Sequence, residues 1–230
     1  MGELIEFPSN GSHAHGYLAV PPEGSGGTIG VLVIQEWWGL VDQIKHTCDR
    51  FAAAGFTALA PDLYDGAAVP LSEPDEAATR MMAMKMEEAA KQLSGSIDEL
   101  QRRTGASTVG VVGFCMGGGL ALVLACQRPD AVAAVVPAYA VIPWADAQPD
   151  YSKMEAVVEG HVAALDGSFS PDAAKALETQ LSGLGKQASF FVYPGVDHAF
   201  FNEDRPEVYD ADAAAQLWER TVAFLRAQLG

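Results

Sequence analysis

Basic residues are scarce in this chain of 230 residues: 14 Lys and Arg stand against 30 Asp and Glu, a formal net charge of −16. Nucleic acids and anionic membranes bind through clustered Lys and Arg, so this balance argues against both as partners. A small anionic substrate stays open, because one or two local Arg are enough to bind it. Only 19% of the residues are charged and 49% are hydrophobic, so the chain can build a large core.

Cysteines and long apolar runs are also lacking. An odd number of cysteines in a chain of this length does not indicate a disulfide framework, and there are three: Cys48, Cys115 and Cys126. No stretch reaches the roughly 20 apolar residues of a membrane span. The first residues, Met1–Phe7, carry acids where a signal peptide carries bases. We therefore expect a cytoplasmic protein without a membrane partner.

Buried-strand and helical patterns alternate along the chain. The predicted strands are Leu4–Phe7, His15–Val20, Gly30–Gln35, Phe56–Ala60, Ser107–Phe114, Ala131–Val136, Val157–Leu165 and Ser189–Tyr193. The predicted helices are Asp42–Ala54, Glu76–Arg103 with a break near Gly95, Met116–Gln127, Asp172–Leu184 and Ala211–Leu229. The first two strands form a short hairpin around Asn10-Gly11.

This alternation predicts an α/β fold: a mostly parallel sheet with helices on both faces, in one domain over residues 1–230. Ligands of such sheets bind beyond the carboxyl ends of the strands. The residues that directly follow each strand are therefore the first candidates for function.

The strongest motif is Gly113-Phe114-Cys115-Met116-Gly117, which joins a predicted strand to a predicted helix. A sharp strand–turn–helix elbow strains its middle residue and needs small residues two positions before and after it. Gly113 and Gly117 meet that need. The helix N-terminus stabilises a thiolate and an oxyanion, so Cys115 is predicted to be a nucleophile. The amide of Met116, the next residue, is then a predicted oxyanion donor.

A thiol nucleophile needs a base, and the base needs a group that orients it. Of five histidines, His198 follows a strand and should reach the sheet edge of Cys115, whereas His161 within a strand is expected to be structural. Asp166 also follows a strand directly. Asp197 is the competing acid, but adjacent side chains on an extended loop usually diverge. The order Cys115, Asp166, His198 matches the nucleophile–acid–base order of the α/β-hydrolase fold.

These residues carry a family resemblance over nearly the whole chain. The sequence resembles the dienelactone hydrolases (carboxymethylenebutenolidases), compact α/β-hydrolases with a Cys-Asp-His triad. The matching segments are 35–39 (QEWWG), 61–64 (PDLY), 113–118 (GFCMGG), 165–166 (LD) and 194–200 (PGVDHAF). The combination of a Cys elbow with the Gln-Glu turn is what makes the resemblance specific.

The resemblance implies further roles. Glu36 would contact the nucleophile in the resting enzyme until substrate displaces it. The second oxyanion donor would be the amide of Trp37, with Trp38 as the alternative, and either indole could line the pocket. Arg80 stands where the family holds a substrate carboxylate. The family's second Arg is missing after His198, so Arg205, three residues beyond Asn202, is the remaining candidate.

The expected function is hydrolysis of a small lactone or activated ester, anionic or neutral, by a monomer that needs no metal or organic cofactor. A small-ester carboxylesterase without lactone preference and a non-catalytic binding protein on the same scaffold are the alternatives. A glutamine amidotransferase-like enzyme would place an acid two residues after the histidine, where this chain has Phe200. A peptidase is disfavoured because amides leave poorly from a thiolate adduct.

Overall fold

The computed structural model describes residues 2–24 and 26–230. Eight strands form one sheet in the order β1-β2-β4-β3-β5-β6-β7-β8. The strands β3 to β8 pair in parallel, and β1 and β2 add an antiparallel hairpin against β4. The strands are β1 Glu3–Ser9, β2 Ser12–Ala19, β3 Gly30–Ile34, β4 Thr57–Pro61, β5 Val109–Phe114, β6 Val132–Ala138, β7 Val157–Ala163 and β8 Ala188–Tyr193.

Six α-helices connect these strands, together with a 3-10 turn at Tyr151–Lys153. They are α1 Asp42–Ala53, α2 Pro74–Ala83, α3 Met86–Thr104, α4 Met116–Gln127, α5 Pro171–Gly183 and α6 Ala211–Leu229. Successive residues of β3 supply the two faces of the sheet: Val31 and Val33 pack in the core with α1 and α6, whereas Leu32 and Ile34 pack with α3 and α4. This two-sided burial explains why the central strands are continuously apolar.

The predicted hairpin is present. Asn10 and Gly11 both have positive φ (48° and 85°), as the two-residue turn of a tight hairpin requires. Its register pairs Glu6 with His15, and the Glu6 carboxylate contacts both His13 and His15 on the exposed face.

The predicted break near Gly95 is wrong. The helical stretch divides instead between Ala83 and Met86, where Met84 is extended (ψ 129°). The helix packs so closely on β1 at this position that only glycine fits: a Cβ would lie 2.5 Å from the Ser9 hydroxyl oxygen. That glycine therefore marks a close contact between helix and hairpin.

Candidate active site

The elbow at Cys115 has the predicted geometry. Cys115 directly follows β5, caps α4, and has φ 54° and ψ −121°, which is strained for a residue with a side chain. The flanking glycines are demanded by space: a Cβ on Gly113 would lie 2.0 Å from the Gly117 carbonyl oxygen, and a Cβ on Gly117 would lie 2.4 Å from that of Ile34. Cys115 is 8% exposed and lines a cavity at the carboxyl edge of the sheet.

Backbone hydrogen bonds fix the strained residue. Its amide donates to the Ala138 carbonyl (3.1 Å), and its own carbonyl accepts from the Val141 amide (3.0 Å). Over residues 2–24 and 26–230, the amides of Met116, Trp37 and Trp38 donate to no protein acceptor. An oxyanion hole needs two donors, so Met116 with either Trp37 or Trp38 meets that number.

Asp166 and His198 meet at the same edge. The Asp166 Oδ2 atom lies 2.8 Å from His198 Nδ1. The other carboxylate oxygen accepts hydrogen bonds from the amides of Ser168 (2.7 Å) and Phe169 (3.0 Å), and Asp166 is 3% exposed. The competing acid, Asp197, instead accepts a hydrogen bond from the His198 backbone amide.

The environment of His198 favours its charged form. Burial lowers the pKa of the imidazolium, but the hydrogen bond with Asp166 and the nearby Cys115 outweigh burial and raise the pKa to about 10. The Tyr139 ring packs edge-on against the imidazole, with the ring centroids 5.1 Å apart. His198 is thereby held between an acid, an aromatic ring and the thiol.

Glu36 lies at this site, but its hydrogen bonds differ from those the resemblance implies. The Tyr139 hydroxyl donates to Oε1 (3.1 Å) and the Asn202 amide donates to Oε2 (2.8 Å). Neither oxygen hydrogen-bonds to Cys115 within the described part of the chain. The physical reason is competition, because two fixed donors bind a carboxylate better than one thiol does. Burial raises the pKa of Glu36, which is 2% exposed.

The cavity in front of Cys115 has a volume of about 180 Å³. Side chains from five loops and helix α2 line it: Glu36, Trp37, Met81, Cys115, Val141, Ser168, His198, Ala199 and Arg205. The pocket-lining Trp is therefore Trp37. Trp38 does not line this cavity, because its indole is 2% exposed and packs with Val69 and Ala77.

The two arginine candidates are separated. Arg205 lines the cavity of Cys115 and pairs with Glu207 (2.8 Å), whereas Arg80 lines a different cavity of about 620 Å³ between α2 and α3. Arg80 pairs with Glu76 in its own helix. Arg80 does not line the cavity of Cys115, and its guanidinium lies 5.8 Å from the centre of the Tyr64 ring. Its role in binding a substrate carboxylate stays a prediction.

Sequence reasoning missed two residues of the site, Tyr139 and Asn202. Tyr139 directly follows β6, so the rule that function lies just after each strand would have found it. Asn202 stands in the stretch where the family's second Arg was sought, and its role depends on a contact with Glu36, 166 positions away in the chain. Met81 of α2 and Ser168 of the loop after β7 also carry no local signal, and they reach the cavity only through tertiary packing.

Among the described residues, no group of three or more His, Cys, Asp or Glu could hold a metal ion, and His13 and His15 on the surface belong to no such group. Helices long and apolar enough to cross a membrane are likewise absent from the described ranges.

A mostly parallel sheet with a strained strand–turn–helix elbow at its centre, and an acid and a histidine at the ends of later strands, is the arrangement of the α/β-hydrolase fold. Residues 14–229 match the model of the dienelactone hydrolase family, and the chain belongs to that family. It is a hydrolase that acts on esters.

The similarity to individual proteins extends over the full chain. "Protein usf" of Aquifex pyrophilus is 37% identical over 242 residues, and a candidate carboxymethylenebutenolidase of Aquifex aeolicus is 33% identical over 237 residues. Both alignments cover 100% of each protein. The structure of a candidate dienelactone hydrolase from Klebsiella pneumoniae superposes with a TM-score of 0.86 at 25% identity, and 98% of each chain is covered.

Proposed function

We propose that this enzyme hydrolyses small lactones or activated esters through a thioester on Cys115, with His198 as acid and base and Asp166 as its orienting carboxylate. The observation that carries the proposal is the 2.8 Å contact between Asp166 and His198 beside a thiol on a strained elbow. A histidine oriented by a buried acid is what nucleophilic catalysis requires.

In the first half of the reaction the sulfur attacks the carbonyl carbon, a C–S bond forms, and the carbonyl electron pair moves to oxygen. The amides of Met116 and Trp37 stabilise the resulting oxyanion. The intermediate then expels the alkoxide or enolate as the C–O bond breaks. The His198 imidazolium, with its raised pKa, supplies the proton that the leaving oxygen takes up.

In the second half His198, now neutral, accepts a proton from water as that water attacks the thioester. The thiolate leaves, and the carboxylic acid product and the imidazolium remain. A thiolate is itself easily expelled from a tetrahedral intermediate, so the competing oxygen must be a good leaving group. An enol-lactone meets this condition better than an alkyl ester or an amide.

Arg205 favours an anionic substrate. Arg205 lines the cavity and is the only Lys or Arg among the cavity residues of the described chain. A carboxylate on the substrate can therefore compete with Glu207 for it. A carboxylesterase without lactone preference remains the second candidate, because an arginine that stays paired with Glu207 would leave only the small cavity to select substrates.

The test compares Cys115→Ala with wild type on p-nitrophenyl acetate and on an enol-lactone. We expect a loss of at least about 10³-fold in kcat/KM with both substrates. Hydrolysis by the variant at nearly the wild-type rate would end the proposal.

A second comparison tests the substrate charge. Arg205→Leu should lower kcat/KM for a carboxylate-bearing lactone by about 10-fold or more relative to its neutral methyl ester. Arg226→Leu is the matched control, since Arg226 lines neither cavity and donates to the Ala54 carbonyl. An equal effect of Arg205→Leu on both substrates would favour the carboxylesterase without anion preference.

A further inference from the structure

The hydrogen bonds of Glu36 are fixed from both sides. Tyr139 is fully buried, and Asn202 is 1% exposed. The Asn202 carbonyl oxygen already accepts a hydrogen bond from the Asp204 amide (3.2 Å), so its NH₂ group must face Glu36. Burial and the nearby Glu36 charge hold the pKa of Tyr139 well above its ordinary value, so its hydroxyl stays a donor. Both neighbours therefore present donors, and Glu36 must accept.

These donors sit on backbone that cannot easily move. Tyr139 has φ 37°, and its amide donates to the His161 carbonyl (2.7 Å) of β7. The backbone amide of Asn202 donates to the carbonyl of Ala199, and Ala199 has φ 67°. Left-handed residues with side chains cost energy and persist where the surrounding structure determines them. The two donors to the Glu36 carboxylate therefore lie on segments of this kind.

We propose that Tyr139 and Asn202 are positioning residues that keep Glu36 off the Cys115 sulfur. The sulfur then pairs with His198 before substrate binds. This inference rests on the proposed role of Cys115 as nucleophile. The nucleophile of this enzyme is then ready in the free state. Substrate does not have to displace a carboxylate from it, as it would in the resting state that the resemblance implies.

The contacts of the thiol agree with this assignment. Both oxygens of Glu36 are occupied by fixed donors, whereas Cys115 and His198 line the same cavity. Removing either donor frees one carboxylate oxygen inside a shared cavity. A carboxylate that approaches the sulfur disfavours its thiolate through like-charge repulsion. Loss of an anchor should therefore slow every reaction of the Cys115 thiolate, including reactions that need no substrate.

The test is alkylation of the free enzyme by iodoacetamide at pH 7, followed by intact-protein mass spectrometry. Wild-type Cys115 should react faster than glutathione. The other thiols should react slowly, because burial raises the pKa of Cys126 to about 11 and that of Cys48 further. Tyr139→Phe and Asn202→Ala should each slow alkylation of Cys115 by about five- to tenfold. Tyr151→Phe, which deletes a hydroxyl on the 3-10 turn, should leave the rate unchanged.

A double variant separates positioning from a general structural effect. Glu36→Gln added to Asn202→Ala removes the charge that would reach the sulfur, so it should restore the alkylation rate to within about twofold of wild type. A merely damaged fold would not be repaired by a second substitution. Tyr139→Phe removes one oxygen atom and keeps the test usable if Asn202→Ala fails to fold.

The inference is overturned if both single variants alkylate at the wild-type rate, if the double variant stays as slow as Asn202→Ala, or if wild-type Cys115 reacts no faster than glutathione. These outcomes are independent of the proposed function. That function fails on hydrolysis by Cys115→Ala, whereas this assignment fails on the reactivity of a thiol without substrate.

Discussion

Replacing Gly117 with Ala probes the elbow with a single methyl group. The added Cβ would lie 2.4 Å from the Ile34 carbonyl oxygen and 2.5 Å from that of Gln35. Both contacts are with backbone, so no side chain can rotate away. Restoring an ordinary separation of at least 3.4 Å requires the start of α4 and the end of β3 to move apart by about 1.0 Å.

That displacement falls on the two proposed oxyanion donors, the amides of Met116 at the start of α4 and of Trp37 just after β3. Overpacking of this kind should cost about 3 kcal/mol of unfolding free energy, which lowers Tm by about 6–12 °C in a chain of this size. A displacement approaching 1 Å in the reacting geometry should lower kcat/KM by about 10²-fold. Both losses are measurable by thermal unfolding and by hydrolysis of p-nitrophenyl acetate.

Gly183→Ala is the matched control. This glycine ends α5, and a Cβ there meets nothing within 4 Å. Alanine should raise the unfolding free energy by up to about 1 kcal/mol and leave kcat/KM unchanged. The reasoning is refuted if Gly117→Ala matches wild type in both Tm and kcat/KM, because the contact with β3 would then not constrain the elbow.

Three further results are expected. The pKa of His198 is raised from 6.5 to about 10, so the stabilisation by the charged imidazolium is fully present below pH 6.5 and is lost as the pH rises through 10. Urea unfolding at several pH values should show this decline in the free energy of unfolding, and His198→Gln should make that free energy less dependent on pH. Asp166→Asn should lower kcat/KM by about 10³–10⁴-fold and shift the His198 titration, followed by NMR, back towards 6.5; an unchanged titration would contradict the role of Asp166. Trp144→Phe removes the hydrogen bond from the indole to the Met81 carbonyl (3.1 Å) and should raise KM up to about fivefold, whereas an unchanged KM would show that α2 needs no such attachment.

Local signals made much of the fold predictable. The helix Met116–Gln127 begins and ends as predicted because a buried strand, an elbow and an Arg-Pro pair bound it. Asp166 and His198 converge as expected because each follows a parallel strand, and such strands end at one edge. Asn10-Gly11 likewise specifies its turn without help from the rest of the chain.

The remaining features depend on contacts between distant parts of the chain. Gly95 looks like a helix breaker, yet it is a contact point for Ser9 of the hairpin. Trp37 and Trp38 are neighbours in one turn, and only the packing of Val69 and Ala77 decides which indole is buried. The choice between Arg80 and Arg205 likewise rests on how α2 and the loop after β8 lie relative to the sheet.

The position of β8 has a consequence for how the enzyme loses activity. This strand is the outermost of the parallel series, pairs only with β7, and is partly exposed along its length. Its loop carries His198, whereas Cys115 follows β5 at the centre of the sheet. Local unfolding of the edge would remove the imidazole and leave the elbow intact. We expect hydrogen exchange to be faster in residues 188–193 than in 109–114, and mild urea to inactivate the enzyme before its helices melt.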